Sequence, residues 1–408
     1  MAESIKLKRA ISLPFLILYG VGTMVGGGFY ALVGKVAGEA GYYAPLALVL
    51  SGLLALLSGL SFAELSSRYP VSAGEVRYVS AGFRNVYLSR LAGALVILTG
   101  IVSAATLSVA TIGFLQDFVS VPNAPALIVL VLLMGAIAAW GIGESVAVVV
   151  IITILEIAAL IYAAFVAEGE LAQLQQSWQL FVPPMNAEIW VGIFTAAFLA
   201  FYAFIGFEDM VNIAEEVKDA KRALPAAIII SVVLCLMIYA WVSLNALLSV
   251  PPKQLAASNT PVAEMVRAHS WYSSTGLGIV SLLTGLNGAL VQIIMASRVA
   301  YGMAKRKHAP AWFANVNSKT QTPFNATSLI TALVLLLALF FPLTTLAKIT
   351  SGIILLVFAA VNLALWRIKR RHPNRKGTGI RLPIFLPIIA AFSCLAALAF
   401  QLWLLLAS

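Results

Sequence analysis

Three carboxylates stand inside apolar runs of this chain. Glu156 lies within Ile154-Leu155-Glu156-Ile157, and the adjacent pair Glu208 and Asp209 follows Phe204-Ile205-Gly206-Phe207. A charged side chain at the centre of a bilayer costs on the order of 2.5–3.5 kcal/mol on insertion scales, so acids at that depth need a task. Proton transfer is one such task, and Glu208 and Asp209 are close enough in sequence to share a proton. Glu156 could also ligate sodium, hold a fixed charge against a hydrogen-bond donor, or serve as a structural acid bonded between helices. If the apolar run ends early, Glu208 and Asp209 are interfacial.

The second chemical feature is backbone. The stretch from Gly20 to Tyr30 carries glycine at 20, 22, 26, 27 and 28. Each costs a helix interior about 1 kcal/mol relative to Ala. Inside a membrane an interrupted helix survives only where protein or a water-filled cavity satisfies the freed backbone. A helix broken here would present the bare N–H groups and positive dipole end of its second half to an anion. Gly22 and Gly26 also have the spacing of close helix packing through small residues.

The elements that must position these groups are membrane helices. The 408 residues are 61% hydrophobic and 10% charged, with a mean hydropathy of +0.98, which describes a polytopic helical membrane protein. Eleven spans are expected, at roughly 14–36, 44–66, 88–116, 124–141, 145–166, 189–213, 226–250, 276–303, 325–342, 345–367 and 383–406. Pro14 is expected to open the first. No cleavable leader is read at the start. All Lys and Arg except Lys35, Lys253, Arg267 and Lys348 fall on one side if the N-terminus is cytoplasmic. This orients the chain and puts the C-terminus outside. The net charge of +10 therefore reflects cytoplasmic loops rather than a nucleic-acid partner. Cys235 and Cys394 are expected as buried free thiols.

Spans one and six are both interrupted, and they open two sets of five. Matched breaks of this kind predict a five-plus-five inverted-repeat transporter with its site between the breaks. The expected divisions are 1–13 (cytoplasmic), 14–166 (first repeat), 167–188 (external loop), 189–367 (second repeat), 368–382 (basic cytoplasmic loop) and 383–408 (one extra span).

At this point the chain resembles the amino acid–polyamine–organocation permeases. The resemblance rests on four stretches: Gly20 through Gly38; Phe201 through Gly206 continuing in Asn212 through Pro225; Gly141-Ile142-Gly143-Glu144-Ser145; and Asn287 through Gly302. It implies an amino acid substrate, with proton coupling or exchange. Gly26, Gly27 and Gly28 match the motif whose N–H groups hold the substrate carboxylate. The substrate ammonium would meet carbonyls near Thr23, Met24, Tyr202 and Ile205, beside Gly206. Tyr202 matches an aromatic gate, with core packing as its other reading; Phe201, Phe204 and Phe207 are expected to pack, with substrate contact as the other reading of Phe204. Several relatives place Lys where this chain has Glu156, and Glu208 matches a position with a proposed proton-linked role.

Several supporting roles are also expected. Asn287 should bond across helices to span one or to Glu156, with direct substrate contact as its weaker alternative. Ser103 and Thr106 either line a pocket or bond their own i−4 carbonyls. Glu64 is expected to be structural, as a cap or paired with Arg68 one turn away. Lys218, Lys221 and Arg222, with Glu215, Glu216 and Asp219, form an inner-gate network or a solvated loop. The basic run from Arg367 to Arg381 fixes topology and meets anionic lipid.

No enzyme is read here. The histidines His269, His308 and His372 show no ligand spacing, no metal or cofactor is expected, and there is no P-loop. A channel would need a continuous polar lining, whereas the polar residues are isolated. The resulting expectation is a proton-coupled permease for neutral amino acids in the cytoplasmic membrane, with an exchanger or a non-transporting sensor as alternatives. The partners are substrate, protons and lipid, and no accessory subunit is indicated.

Overall fold

The first span opens as its sequence requires. Ser12 adopts extended backbone, Pro14 fits the first turn, and α1 runs Leu13–Val25. It stops at Gly26, and α2 begins at once as Gly27–Ala40. The computed structural model describes residues 9–71, 74–140, 146–166, 177–267, 271–317, 319–372 and 380–407. The expected match at Gly141 through Ser145 lies outside these residues, as do 167–176 of the external loop and the stretch 373–379.

The chain continues through α3 (Ala44–Arg68), α4 (Gly74–Phe83), α5 (Val86–Gln116), α6 (Asn123–Trp140), α7 (Val146–Val166) and α8 (Ala187–Ala200). Then come α9 (Ala220–Ser249), α10 (Pro252–Ala257), α11 (Pro261–Arg267), α12 (Trp271–Lys305), α13 (Phe324–Phe340), α14 (Leu343–Arg371) and α15 (Leu386–Ala407). Asn85 and Asn186 cap α5 and α8 by accepting from backbone N–H groups two and three residues on. Among the described residues, eight stretches are long and apolar enough to cross a membrane. Three shorter apolar helices, Leu13–Val25, Val150–Val166 and Phe324–Phe340, accompany them. No strand forms among the described residues; the closest approach is an isolated parallel bridge between Ile11 and Val217.

Packing follows a two-fold pattern. Counting α1 with α2 as span one, span two packs on span seven (α3 on α9), span three on span eight (α5 on α12) and span four on span nine (α6 on α13). Span one also meets span five (α1 on α7), and the sixth span meets the tenth, α14. α15 lies outside this scheme against α3 and α14. There Asn362 donates to the Ser58 hydroxyl (3.1 Å), which meets the Cys394 thiol at 3.4 Å. Both cysteines are free and buried.

The second break is longer than the first. After α8 the chain narrows into a 3₁₀ turn (Phe201–Phe204), extends at Ile205, turns at Gly206 and resumes as a 3₁₀ helix (Phe207–Glu216). Aromatic packing fixes it: Phe207 and Phe201 pack against Phe358, Phe62 packs against Phe207, and Phe204 packs against Tyr239. All three phenylalanines of this segment are fully buried, as a packing role requires. The Tyr239 hydroxyl donates to the Ala203 carbonyl (3.1 Å), which replaces a lost helical partner.

Candidate functional site

The two breaks meet. The Thr23 hydroxyl at the end of α1 lies 3.0 Å from the Gly206 carbonyl and 3.0 Å from the Gly20 carbonyl in its own turn. Gly206 has φ +128°, and a Cβ there would stand 2.6 Å from the Thr23 carbonyl oxygen, so only glycine fits. The glycines of span one divide their work. A Cβ on Gly22 would collide with the Thr153 side chain of α7, so Gly22 serves close packing. Gly26 has no such neighbour; it is the joint where α1 ends and the N–H groups of α2 begin.

A cavity of about 40 Å³ sits at this joint. Of the residues expected at the site, Thr23, Met24, Gly26, Gly27, Gly28, Tyr202, Ile205, Asp209 and Asn287 line it. Gly206 lies behind Ile205, against Thr23. Leu107, Gly288, Val291 and Gln292 add an α5–α12 wall that sequence reading did not single out, and Tyr19 and Gly22 extend the α1 side. The space holds one or two waters, so a larger occupant requires the walls to part.

Tyr202 covers one side. Its ring passes close to Gly28, and its hydroxyl bonds the Ser103 hydroxyl (2.9 Å) and donates to the Ser103 carbonyl (3.2 Å). Ser103 therefore lines the cavity. Thr106 takes the other expected course and donates to Val102 O at i−4 (2.8 Å).

The acids separate. Glu208 accepts from the Gly206 N–H (2.9 Å) and so caps the second half of the broken span. Asp209 faces the cavity. Glu156 is buried outside the cavity, with its carboxyl against the Thr284 hydroxyl of α12 and its backbone carbonyl accepting from Tyr30 (2.7 Å). Its second oxygen, Oε2, has no partner among the described residues. The expected bond between Asn287 and Glu156 does not form, because Asn287 points into the cavity and Thr284, one turn earlier on α12, meets the carboxyl instead.

One acid escaped sequence reading. Glu75, the second residue of α4, is 2% exposed. Burial pushes its carboxyl up to about 8; its own backbone holds it back, and the charge of Glu208 adds to the rise. Its position on a short helix outside the apolar runs gave no sign of burial.

At the end of the molecule where the chain enters α1, the residues before α1 join the loop after span six through backbone. Ala10 and Ile11 N–H donate to Glu216 O (2.9 and 3.1 Å), and Lys218 N–H donates to Ile11 O (2.9 Å). The expected charged network there is thus underlain by a backbone tie. Glu64 pairs with Arg68 as expected, and also accepts from Lys369 Nζ at 2.8 and 2.7 Å and from Leu382 N–H at 2.9 Å. On the opposite side, Lys35 donates to Ala256 O, Arg267 pairs with Asp117 and Glu264, and Lys348 pairs with Glu39.

Comparison with known proteins extends this picture to nearly the whole chain. A family model described as amino acid permease matches residues 11–407. A branched-chain amino acid permease of Bacillus subtilis is 28% identical over 90% of this chain and 82% of its own length. A mitochondrial cationic amino acid transporter of Arabidopsis thaliana is 29% identical over 88% of this chain, which spans 62% of that longer protein. A methylthioribose transporter of Bacillus subtilis is 26% identical over 97% of this chain and 88% of its own length. Two broken helices meeting at a cavity, within a family match this complete, have one reading: the chain is a multi-pass transporter and belongs to the amino acid permease family.

Proposed function

We propose that this protein takes up neutral L-amino acids across the cytoplasmic membrane by proton-coupled alternating access, with its N-terminus inside and its C-terminus outside. The observation that carries the reading is the cavity at the joint of the two breaks. The N–H groups at the start of α2 suit a carboxylate. The carbonyls at the end of α1 and around Tyr202 and Ile205 suit an ammonium. Met24, Leu107, Ile205 and Val291 leave an apolar wall for the side chain. A branched-chain permease among the relatives agrees with that wall.

Glu156 is the proposed proton carrier. It is buried on α7 against α12 and the second half of span one, and its unpaired oxygen is free to take up a proton. Asp209 supports a second reading, since a carboxylate in the lining could hold a cationic side chain, and a cationic amino acid transporter is also a relative.

Uptake of labelled leucine, valine, lysine and arginine into proteoliposomes tests both readings, under an inward proton gradient, a sodium gradient or neither. The expected result is proton-driven accumulation of leucine or valine, abolished by Glu156→Gln. Sodium-driven accumulation would make Glu156 an ion ligand. Exchange without accumulation would make the protein an antiporter, and accumulation of lysine or arginine would assign Asp209 to the side chain. Binding without movement of any substrate would identify a sensor.

A further inference from the structure

A second cavity, of about 410 Å³, lies far in sequence from the helix breaks. It opens between α4 and the C-terminal end of α14, and its lining includes Tyr69, Arg77, Ser80, Arg84, Arg371 and His372. Three arginines thus line a space with no carboxylate in its lining.

These arginines are held for an occupant rather than for one another. Arg77 stacks on the Tyr69 ring, with its guanidinium carbon 5.5 Å from the ring centroid. Stacking leaves the N–H edge of the group free. Arg371 spends one nitrogen on the Gly82 carbonyl (2.9 Å), which fixes its direction. Arg84 has φ +54° and its N–H bonds Ser80 O, so it sits just past the end of α4 where helices usually place glycine. An arginine kept in a left-handed conformation points to a use for its side chain. Unlike Arg68 and Arg267, none of the three pairs with a carboxylate among the described residues.

Two helix C-termini converge here, and their partial negative charge favours cations. Capping alone would not need a cavity of this size. Planar guanidinium groups grip phosphate oxygens two at a time, and Ser80 offers a further hydroxyl donor. Nearby, Arg367 lies over Phe83 and Arg370 over Trp366, a basic and aromatic rim of the kind found at membrane surfaces.

We propose that the Arg77–Arg84–Arg371 cavity binds a phosphate group, carried either by an anionic lipid of the cytoplasmic leaflet or by a soluble phosphorylated molecule. The test uses the whole purified protein with Arg77→Gln, Arg84→Gly and the double variant. Arg84→Gly removes the guanidinium and relieves the left-handed backbone together, so this variant should fold at least as well as the parent. Native mass spectrometry counts retained phosphatidylglycerol against phosphatidylcholine. Calorimetric titration with inorganic phosphate covers the soluble source.

The expected result is preferential retention of phosphatidylglycerol or measurable phosphate binding, weakened about fivefold for each arginine removed. Lipid retention without phosphate binding assigns the site to a headgroup, and the reverse assigns it to a soluble ligand. Equal retention of both lipids with no phosphate binding overturns the proposal. So does a loss of thermal stability in both variants that anions leave unchanged, which would make the arginines helix caps only.

Discussion

At the residue scale, the site depends on atoms that leave no room for substitution. A methyl group at Gly206 would meet the Thr23 carbonyl at 2.6 Å on a backbone with φ +128°. Gly206→Ala is therefore expected to cost roughly 1–3 kcal/mol and most of the uptake, read by thermal unfolding in detergent and by transport. Glu75 gives a pH signature. Its carboxyl ionises near pH 8 in the fold against an ordinary 4.5, so between those values the folded chain holds a proton that the unfolded chain has lost. Stability from this group therefore falls as pH rises from about 4.5 to about 8. Glu75→Gln should flatten that fall, and an unchanged slope of melting temperature between pH 5 and 8 would refute the assignment. The glycines and Asp209 were legible in the sequence because each breaks the apolar pattern around it, and Tyr202 was legible through the family resemblance. Glu75 was not, because it lies on a short amphipathic helix; Gln292 stands as a polar residue between Val291 and Ile293, a signal that could have found it.

At the element scale, the breaks in spans one and six were legible from glycine spacing and from acids at membrane depth. The details were not. The second break takes the form of two 3₁₀ segments because Glu208 caps the lower one and aromatic side chains hold the upper. Glu64 illustrates the same limit. Its pairing with Arg68 follows from their i,i+4 spacing, but Lys369 and Leu382 arrive from more than 300 positions away. The network ties α3 to α14 and to the approach to α15. Glu64→Gln leaves the buried Lys369 without its carboxylate and should cost about 3–5 kcal/mol. Adding Lys369→Met should recover much of that loss. A double variant no more stable than Glu64→Gln alone would show that the tie to Leu382, rather than the charge pair, holds these helices.

At the scale of the whole molecule, composition was enough to predict a polytopic helical membrane protein, and the matched breaks in spans one and six to predict a transporter. The two-fold packing of spans two on seven, three on eight and four on nine agrees with two repeats. The sequence held no sign that Ala10 and Ile11 bond the loop after span six, because backbone pairing leaves no side-chain pattern. Each such bond is worth about 0.5–1.5 kcal/mol. Ile11→Pro removes one donor, so hydrogen exchange over residues 207–217 should quicken about tenfold; unaltered exchange would mean that the tie carries no weight. The bond from Thr23 to Gly206 has a further consequence, for the return half of the cycle. On the proposed alternating-access reading, this direct contact between the two broken spans would let the carrier close and swing back unloaded. That is what net accumulation demands and what an obligate exchanger forbids. Thr23→Val should therefore slow net uptake more than it slows exchange of internal for external substrate, and equal slowing of both would deny the bond that part.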